Sequence, residues 1–275
     1  MTIALAANYS PQLMELLAED PLEFLTYIKV PLTSPPQGQI KDARRYRPGL
    51  LHCWGEESII LGAASPDKVI NRENVAEMVE LTDTPYVSTH LNLTFTDFAA
   101  IGGFDCEDAY HLVYDHLAGN TFQVKSCLNR DLILENLDFT HGRPASAIPT
   151  NPRFISEFLA EVDCGLLLDI GHAQVSAWHL GYEFTDYLKS LPLDRVVELH
   201  VHAPRCLPGQ GLIDEHLPLR PKDYDLIRWL IEHTPVQTIS LEYGGAKEFQ
   251  GDPERNSKAA LYEQLVQLRT LLDRA

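Results

Sequence analysis

The stretch Gly165–Ala173, GLLLDIGHA, decides the fold. Its three leucines form an unbroken apolar run that ends at Asp169. A strand without polar interruptions is buried on both faces, as in a parallel sheet covered by helices. Three other segments share this form, namely LILE at 132–135, VVEL at 196–199 and ISLE at 239–242. The sequence therefore predicts an α/β protein with a parallel sheet.

Strand patterns alternate with helical patterns along the whole chain. Eight strands are predicted, at Ile3–Ala6, Phe24–Val30, Leu50–Cys53, Tyr86–Leu91, Leu132–Glu135, Gly165–Asp169, Val196–Val201 and Thr238–Glu242. Helices are predicted near residues 11–18, 39–46, 68–80, 106–118, 151–161, 183–190, 222–233 and 257–272.

This alternation predicts one (β/α)8 TIM barrel that spans residues 1–275 as a single domain. An open doubly wound sheet is the alternative. Such a sheet usually has a glycine-rich phosphate loop after its first strand. The corresponding turn here is AANYSPQ, with neither GxGxxG nor GxxxxGK[ST], which favours the barrel.

The charge of the chain argues against nucleic acid as a partner. The 275 residues include 22 Lys and Arg against 39 Asp and Glu, for a net charge of −17. Such a surface repels phosphate backbones and anionic lipid. The same chain carries 11 His, so cation binding is the better hypothesis.

The cysteines and the N-terminus indicate a soluble cytoplasmic protein. The five cysteines are odd in number, widely spaced and without a CxxC pair, which does not suit a disulfide framework. The first residues lack a basic segment and a signal-length apolar run. No stretch approaches the roughly 18 apolar residues of a membrane span.

Histidines and carboxylates follow the predicted strands at their carboxyl ends. In a parallel barrel these ends share one mouth, where active sites form. Six strands deliver such residues to that mouth, and the long loop after the seventh strand adds two. The candidates are His52, His90, Glu135, Asp169, His172, His200, Asp214, His216 and Glu242.

Burial of these side chains together requires a source of positive charge. A single strand-end histidine or acid is more often a helix cap or a hydrogen-bonded rim residue. Four clustered carboxylates with almost no Lys or Arg nearby would repel one another strongly. Bound metal supplies the missing charge, and about nine donors are enough for two or three ions.

The donor types favour a catalytic transition-metal site. Imidazole and carboxylate suit Fe, Mn, Zn or Co, whereas structural zinc usually uses cysteine. Cys53 follows His52, but strand alternation directs its side chain away. His202 follows His200 by two residues, so it faces the same way and is either a ligand or a hydrogen-bonding partner of one.

The remaining histidines fit ordinary structural roles. Four lie in segments with helical patterns and are interpreted as surface or packing residues, whereas His141 lies in a loop that borders the mouth. The four helical histidines are His111, His116, His179 and His233.

With these motifs the chain resembles the multinuclear non-haem iron-dependent oxidative enzymes, a former family of unknown function among the xylose-isomerase-like TIM barrels. STHL, LILEN and LLLDIGH resemble the family's SDHL, LLEN and LLLDVNN. ELHVHA and DEH resemble EIHLAG and DTH or DSH. An HG-type strand matches LHCWGEESIILG, and the last strand ends in Glu242. The matches run in order from about residue 50 to residue 243.

The resemblance implies oxygen chemistry on a centre of two or three ions, with Fe expected and Mn or Zn as substitutes. Members of the family use O2 to oxidise residues, often cysteine, in ribosomally made peptides. Some members need a partner protein that presents the peptide. The nine candidates would be the metal ligands, with His202 and Asn136 as possible residues behind them.

Two positions depart from the family pattern. His172 stands where the family commonly has Asn, which affects metal number and redox behaviour. Lys29 stands on the second strand where the family usually has an acid, so the substrate side of the mouth is expected to differ.

Three other functions stay open. One is a sugar isomerase or epimerase on the same barrel, with one or two divalent ions and Glu135 and Glu242 as the proton-moving pair. Another is a metal-dependent nuclease, which the acidic charge disfavours. The last is a barrel that binds metal or a partner without turnover.

Overall fold

Eight parallel strands close into a barrel in this computed structural model, which describes residues 2–32, 37–93, 107–139, 147–244 and 252–274. Each strand pairs with the next along the chain, and the last closes the ring between its predecessor and the first. The barrel strands are β1 (Ala4–Asn8), β2 (Tyr27–Leu32), β3 (Gly49–Cys53), β4 (Tyr86–His90), β5 (Asp131–Glu135), β6 (Gly165–Asp169), β7 (Val196–Val201) and β10 (Thr238–Leu241). The predicted barrel is confirmed.

Helices connect successive strands on the outside of the barrel. They are α1 (Pro11–Glu19), α2 (Gln37–Arg44), α3 (Arg72–Thr82), α4 (Glu107–Cys127), α5 (Pro152–Val162), α6 (Ile170–Leu180), α7 (Phe184–Ser190), α8 (Pro221–His233) and α9 (Lys258–Leu272), with 3-10 turns at Pro66–Lys68 and Leu193–Arg195. None of the described helices is long and apolar enough to cross a membrane.

Local sequence sets the ends of these helices. In α5, Asn151 caps the first turn by accepting a hydrogen bond from the Arg153 N–H at 3.0 Å, and Pro152 starts the helix. Phe154 and Phe158 then stack on the inner face of the helix with centroids 5.4 Å apart. Several bounds differ from the sequence-based expectation: β2 begins at Tyr27 and α4 continues to Cys127.

Helix α6 begins immediately after β6, where the sequence predicted a turn that carries His172. The carboxylate of Asp169 caps this helix by accepting a hydrogen bond from the His172 N–H at 2.7 Å. Gly181, with φ of 76°, ends it in the left-handed conformation. His172 therefore lies in the first helical turn, held next to Asp169 by the backbone.

A β-hairpin replaces the long loop expected after the seventh strand. Its strands β8 (Ala203–Leu207) and β9 (Gly211–Leu217) pair antiparallel, and the positive φ of Gly209 suits the tight turn between them. The His179 Nε2–H of α6 donates to the Leu212 carbonyl at 2.7 Å and ties the hairpin to the helix. This anchoring fixes β9, which carries Asp214 and His216.

Apolar residues pack on both sides of the barrel wall, outside it against the helices and inside the barrel. The larger cluster packs the helices against the outside of the strands and includes Cys53, which points away from His52 as strand alternation predicted. The smaller cluster fills the lower barrel interior and consists of Ala6, Leu50, Tyr86, Ile133 and Leu167. The cysteines that the structure describes, at positions 53, 127, 164 and 206, are free, and Cys106 lies outside the described residues.

The barrel interior becomes polar towards the mouth, with a period of two residues along each strand. On β4 the inward side chains are Tyr86, Ser88 and His90. Tyr86 belongs to the apolar interior, Ser88 is polar and His90, nearest the mouth, is a candidate donor. Strand β7 continues the same series with Glu198 and His200. The pleat therefore brings the strand-end residues into one layer above a polar floor.

A buried ion pair forms that floor. The Lys29 Nζ lies 2.7 Å from Glu198 Oε1, and both side chains are almost completely buried. Lys29 also donates to Ser88 Oγ at 3.4 Å, and Ser240 Oγ donates to Glu198. Lys29 does not line the substrate side of the mouth, because its charge is buried against Glu198.

Removal of one partner of this pair is expected to destabilise the barrel. Lys29→Met leaves Glu198 buried without its cation, which costs about 3–5 kcal/mol. Unfolding of the chelator-treated protein in urea measures the loss. The matched control is Lys29→Met with Glu198→Gln, which removes both charges and is expected to recover most of it. A single variant as stable as the native protein contradicts the assignment.

Candidate metal centre

Nine predicted donors and His202 lie together at the mouth in three groups, two of which share a residue. Within each group the potential ligand atoms lie within 4.8 Å of one another. We name them the mouth group (His52, His90, Glu135), the central group (Glu135, Asp169, His200, Glu242) and the hairpin group (His172, His202, Asp214, His216). Glu135 belongs to two of them.

The mouth group is a small triangle of donor atoms. His52 Nε2 and His90 Nε2 lie 3.0 Å apart, and each lies 3.3 Å from Glu135 Oε2. Donors bound to one ion at about 2.1 Å lie about 3.0 Å apart when they meet at right angles. His90 is the most exposed of the three, and the exposed ring of Trp54 stacks on it at 5.8 Å.

The central group lies deeper and converges on one imidazole nitrogen. His200 Nδ1 lies 3.2 Å from Glu135 Oε1, 3.3 Å from Glu242 Oε2 and 3.7 Å from Asp169 Oδ2. Asn8, on β1, donates to Glu242 Oε1 at 3.1 Å. Three carboxylates around one histidine make this the most negatively charged of the three groups.

The hairpin group combines α6, β9 and the end of β7. Asp214 Oδ2 lies 3.4 Å from His172 Nε2 and 3.2 Å from His216 Nε2, and Asp214 Oδ1 lies 3.5 Å from His202 Nδ1. His216 has φ of 48°, a conformation that residues other than glycine rarely adopt. Such strain clusters at functional sites, because the surrounding structure must hold it.

Hydrogen bonds fix which nitrogen of each ring is free. His172 Nδ1 donates to the Asn136 carbonyl at 2.9 Å, so Nε2, the atom near Asp214, is the nitrogen that can bind metal once it loses its proton. Ser88 Oγ donates to the Leu51 carbonyl and therefore accepts from His52 Nδ1, 2.9 Å away. His52 Nε2 is thereby left free to face the mouth group.

Asn136 acts through the backbone of Asp169. Its side-chain amide donates to the Asp169 carbonyl at 3.0 Å, and its side-chain oxygen accepts from the Asp169 N–H at 2.9 Å. These two bonds clamp the end of β6 onto the end of β5. Asn136 belongs to none of the three groups, and it contacts Asp169 only through the backbone of Asp169.

Charge interactions within the groups outweigh the cost of burial. Burial raises the pKa of Glu135, but His200 and His90 hold that pKa well below its ordinary value. Burial likewise raises the pKa of Asp169, yet His172 and His202 bring it down to about 2. The pKa values of Glu242 and Asp214 are also lowered, by His200 and His216 respectively, against the effect of burial.

The pKa values of the buried histidines shift in two directions. Burial lowers the pKa values of His172 and His200, but Asp169 and Glu242, respectively, raise them well above the ordinary value. The pKa of His216 rises to about 9, because Asp214 outweighs burial. Burial dominates at His52, whose pKa falls well below the ordinary value.

The donor atoms themselves test whether metal fits. Several buried atoms that face the groups form no hydrogen bond, namely Glu135 Oε2, His200 Nδ1, His202 Nδ1 and Asp214 Oδ1. A buried polar atom without a partner is costly, and bound cations remove that cost. The residues present therefore fit a centre of several metal ions.

Two supporting residues are absent from the sequence prediction. Glu198 lies 3.5 Å from His200 Nε2, and Asn8 contacts Glu242. The alternation of side chains along a strand could have predicted Glu198, because it lies two residues before His200 and therefore also points inward. Asn8 ends β1 and offers only an amide, so no charge or ligand pattern distinguishes it.

Most of the remaining histidines lie where the sequence placed them. His111 and His116 are on α4, His179 is on α6 and His233 is on α8. His141 lies outside the described residues.

A family model now places this geometry among known proteins. The model described as "RiPP precursor modification enzyme MbnB/TglH/ChrH" matches residues 10–247. The chain belongs to this family. MbnB/TglH/ChrH proteins are multinuclear metal enzymes, so membership confirms the resemblance inferred from the strand-end motifs and agrees with the three donor groups.

Relatives and solved structures agree with this assignment. A UPF0276 protein of Acaryochloris marina is 32% identical over 194 residues, which cover 66% of this chain and 66% of that protein. A UPF0276 protein of Anaeromyxobacter sp. is 28% identical over 212 residues, with 73% and 70% covered. These matches span about two thirds of each relative.

The fold has a solved counterpart in a xylose isomerase domain containing protein from Salmonella typhimurium. The two structures share a TM-score of 0.64 at 13% identity, over 99% of both chains. This likeness shows the xylose-isomerase-like TIM barrel and nothing about the reaction.

Removal of a donor that belongs to two groups is expected to lower the metal content more than removal of a donor that belongs to one group. Glu135→Ala removes a donor from two groups, whereas His90→Ala removes one from the mouth group alone. Elemental analysis of anaerobically purified protein should show at least two ions in the native chain, fewer in His90→Ala and fewest in Glu135→Ala. Helical circular dichroism should stay near the native value.

The control for both variants is His111→Ala on the exposed face of α4. It should keep the native metal content. If Glu135→Ala and His90→Ala also keep it, the donor assignment is wrong.

Metal uptake is expected to release protons at neutral pH. His216, with a pKa of about 9, is protonated at pH 7 in the metal-free protein, and a ligating imidazole must lose that proton. A rise in pH from about 7 to about 9 should therefore tighten binding. Calorimetric titration in buffers of different ionisation enthalpy measures the release. His216→Ala should release fewer protons, and binding without proton release in the native chain contradicts the prediction.

Proposed function

We propose that the protein is a multinuclear iron-dependent oxidative enzyme that uses O2 to modify a cysteine residue in a ribosomally made peptide. The observation that carries this proposal is the presence of three donor groups at one barrel mouth, two of which share Glu135. A single-metal enzyme needs only one such group. Family membership supplies the substrate class, a RiPP precursor peptide.

Iron is the proposed metal because the donors are nitrogen and oxygen. The three groups hold five imidazoles, four carboxylates and one further imidazole from His202, and no thiolate. Imidazole and carboxylate ligands suit iron, with manganese or zinc as substitutes. Two or three ions of this kind would neutralise the buried carboxylates.

Bound iron would supply one-electron chemistry and the capacity to reduce O2. The protein supplies the geometry. Glu135 faces the mouth group with Oε2 and the central group with Oε1, so its carboxylate sets the spacing of the two. Asn136 and the α6 backbone hold Asp169 in place. In the reaction the cysteine side chain loses electrons and protons, and O2 accepts them.

The mouth group is the proposed place of substrate contact. The described donors of the central group are buried, whereas His90 is partly exposed and lies beneath Trp54. A cysteine side chain that enters the barrel can therefore reach this group from solvent. The net charge of −17 favours a basic segment in the peptide, or in a partner protein that presents it.

The organisation and location of the chain are also proposals. We infer a single barrel domain over residues 1–275 and a cytoplasmic protein, because the described cysteines are free and a reducing compartment keeps them so.

Oxygen uptake tests the proposed reaction. The reduced, iron-loaded protein should consume O2 when a cysteine-containing precursor peptide from its genomic neighbourhood is added. The same peptide with Ser in place of Cys, and the Glu135→Ala variant with the native peptide, should both give background uptake. A mass change confined to the cysteine residue would identify the product.

Other outcomes would replace the proposal. Turnover of a ketose or aldose without O2 uptake would establish a sugar isomerase or epimerase. Metal-loaded protein that turns over neither peptide nor sugar would indicate a binding barrel without catalysis.

A further inference from the structure

We infer that His202 is a metal ligand of the hairpin group through Nδ1, and that Gly171 is the residue that makes room for its ring. This inference rests on the metal centre proposed above. It assigns a role to a histidine that sequence spacing alone leaves open between ligand and hydrogen-bonding partner.

The two nitrogens of His202 have different surroundings. Nε2 lies 3.1 Å and 3.0 Å from the two carboxylate oxygens of Asp169. An ionised carboxylate only accepts hydrogen bonds, so Nε2 is the donating nitrogen of the ring. Nδ1 is buried, forms no hydrogen bond and lies 3.5 Å from Asp214 Oδ1, which also forms none. The free lone pair of His202 therefore faces the hairpin group.

Gly171 determines whether the ring can occupy this position. A Cβ built on Gly171 would lie 2.1 Å from His202 Cε1 and 2.5 Å from Nε2, far inside van der Waals contact. Gly171 lies in the first turn of α6, where glycine is a poorer helix former than alanine. The close approach of the His202 ring explains why a residue without a Cβ stands at this position.

The opposite face of the ring is also occupied. His216 stacks on His202 with centroids 4.3 Å apart and an interplanar angle of 14°. The ring is held between the α6 backbone and a second donor, and Asp169 fixes its rotation through Nε2. Such a preorganised imidazole has the arrangement of a ligand supported by a carboxylate behind it.

The assignment gives the hairpin group three imidazoles and one carboxylate. Four protein donors leave fewer positions for outside molecules than the three donors of the mouth group. A metal ion in the hairpin group would thus be held chiefly by the protein, whereas one in the mouth group would have more positions open to solvent and substrate.

The decisive variant separates the two nitrogens. In His202→Gln the side-chain amide nitrogen takes the place of Nε2 and still donates to Asp169, but no donor replaces Nδ1. Gly171→Ala moves the ring by steric contact. After anaerobic reconstitution with Fe(II), elemental analysis should show about one ion fewer per chain in both variants, or about 10-fold weaker binding of one ion.

Gly119→Ala is the matched control for the glycine change. Gly119 also lies in a helix, and a Cβ there would contact nothing within 4 Å. This variant should keep the native metal content. Circular dichroism confirms that each variant is folded.

A measurement on the native chain does not depend on any variant. In the Zn2+-loaded protein, 15N spectra should show His202 with metal on Nδ1 and a proton on Nε2. A protonated or unbound Nδ1, or native metal content in His202→Gln and Gly171→Ala, overturns the assignment while leaving the multinuclear centre intact. A native chain that binds at most one ion overturns both this inference and the proposed function.

Discussion

The burial of four carboxylates in one barrel mouth is the constraint on which the rest of the structure depends. His172 lies near Glu135, Asp169 and Asp214, and His200 lies near Glu135, Asp169 and Glu242. Within the three groups the carboxylates are accompanied only by histidines. Without metal, the carboxylates raise the pKa values of His172, His200 and His216, so these three imidazoles carry protons that offset the charge. With metal, the same atoms become ligands and the protons leave. The site is therefore built to exchange protons for metal ions.

The barrel makes this arrangement possible by separating layers along its axis. Apolar side chains such as Ile133 fill the lower interior, and the Lys29–Glu198 pair lies between them and the donors. Because each inward position repeats every two residues, a strand that places Glu198 in the floor must place His200 in the centre. A single strand thus carries both a residue of the buried floor and a candidate metal ligand. The outer helices hold the strands in register.

The sequence predicted the barrel and the donors on its strands because strand ends in a parallel barrel share one mouth. It did not predict how the hairpin group is held. The pattern of the segment GLIDEHL does not indicate which other segment it pairs with. The hairpin of β8 and β9 is therefore known only from the structure. Lys29 and Gly171 act through residues far away in sequence, Glu198 and His202. Single-sequence patterns contain no information about such contacts.

The central claim is that one chain of this MbnB/TglH/ChrH protein holds several iron ions at the three donor groups. Anomalous diffraction at the iron absorption edge, from crystals of anaerobically purified protein, tests it most directly because it gives identity, number and position together. The account predicts two or three iron peaks, with one beside each side of the Glu135 carboxylate. No peak, or a single peak elsewhere in the barrel, would contradict it.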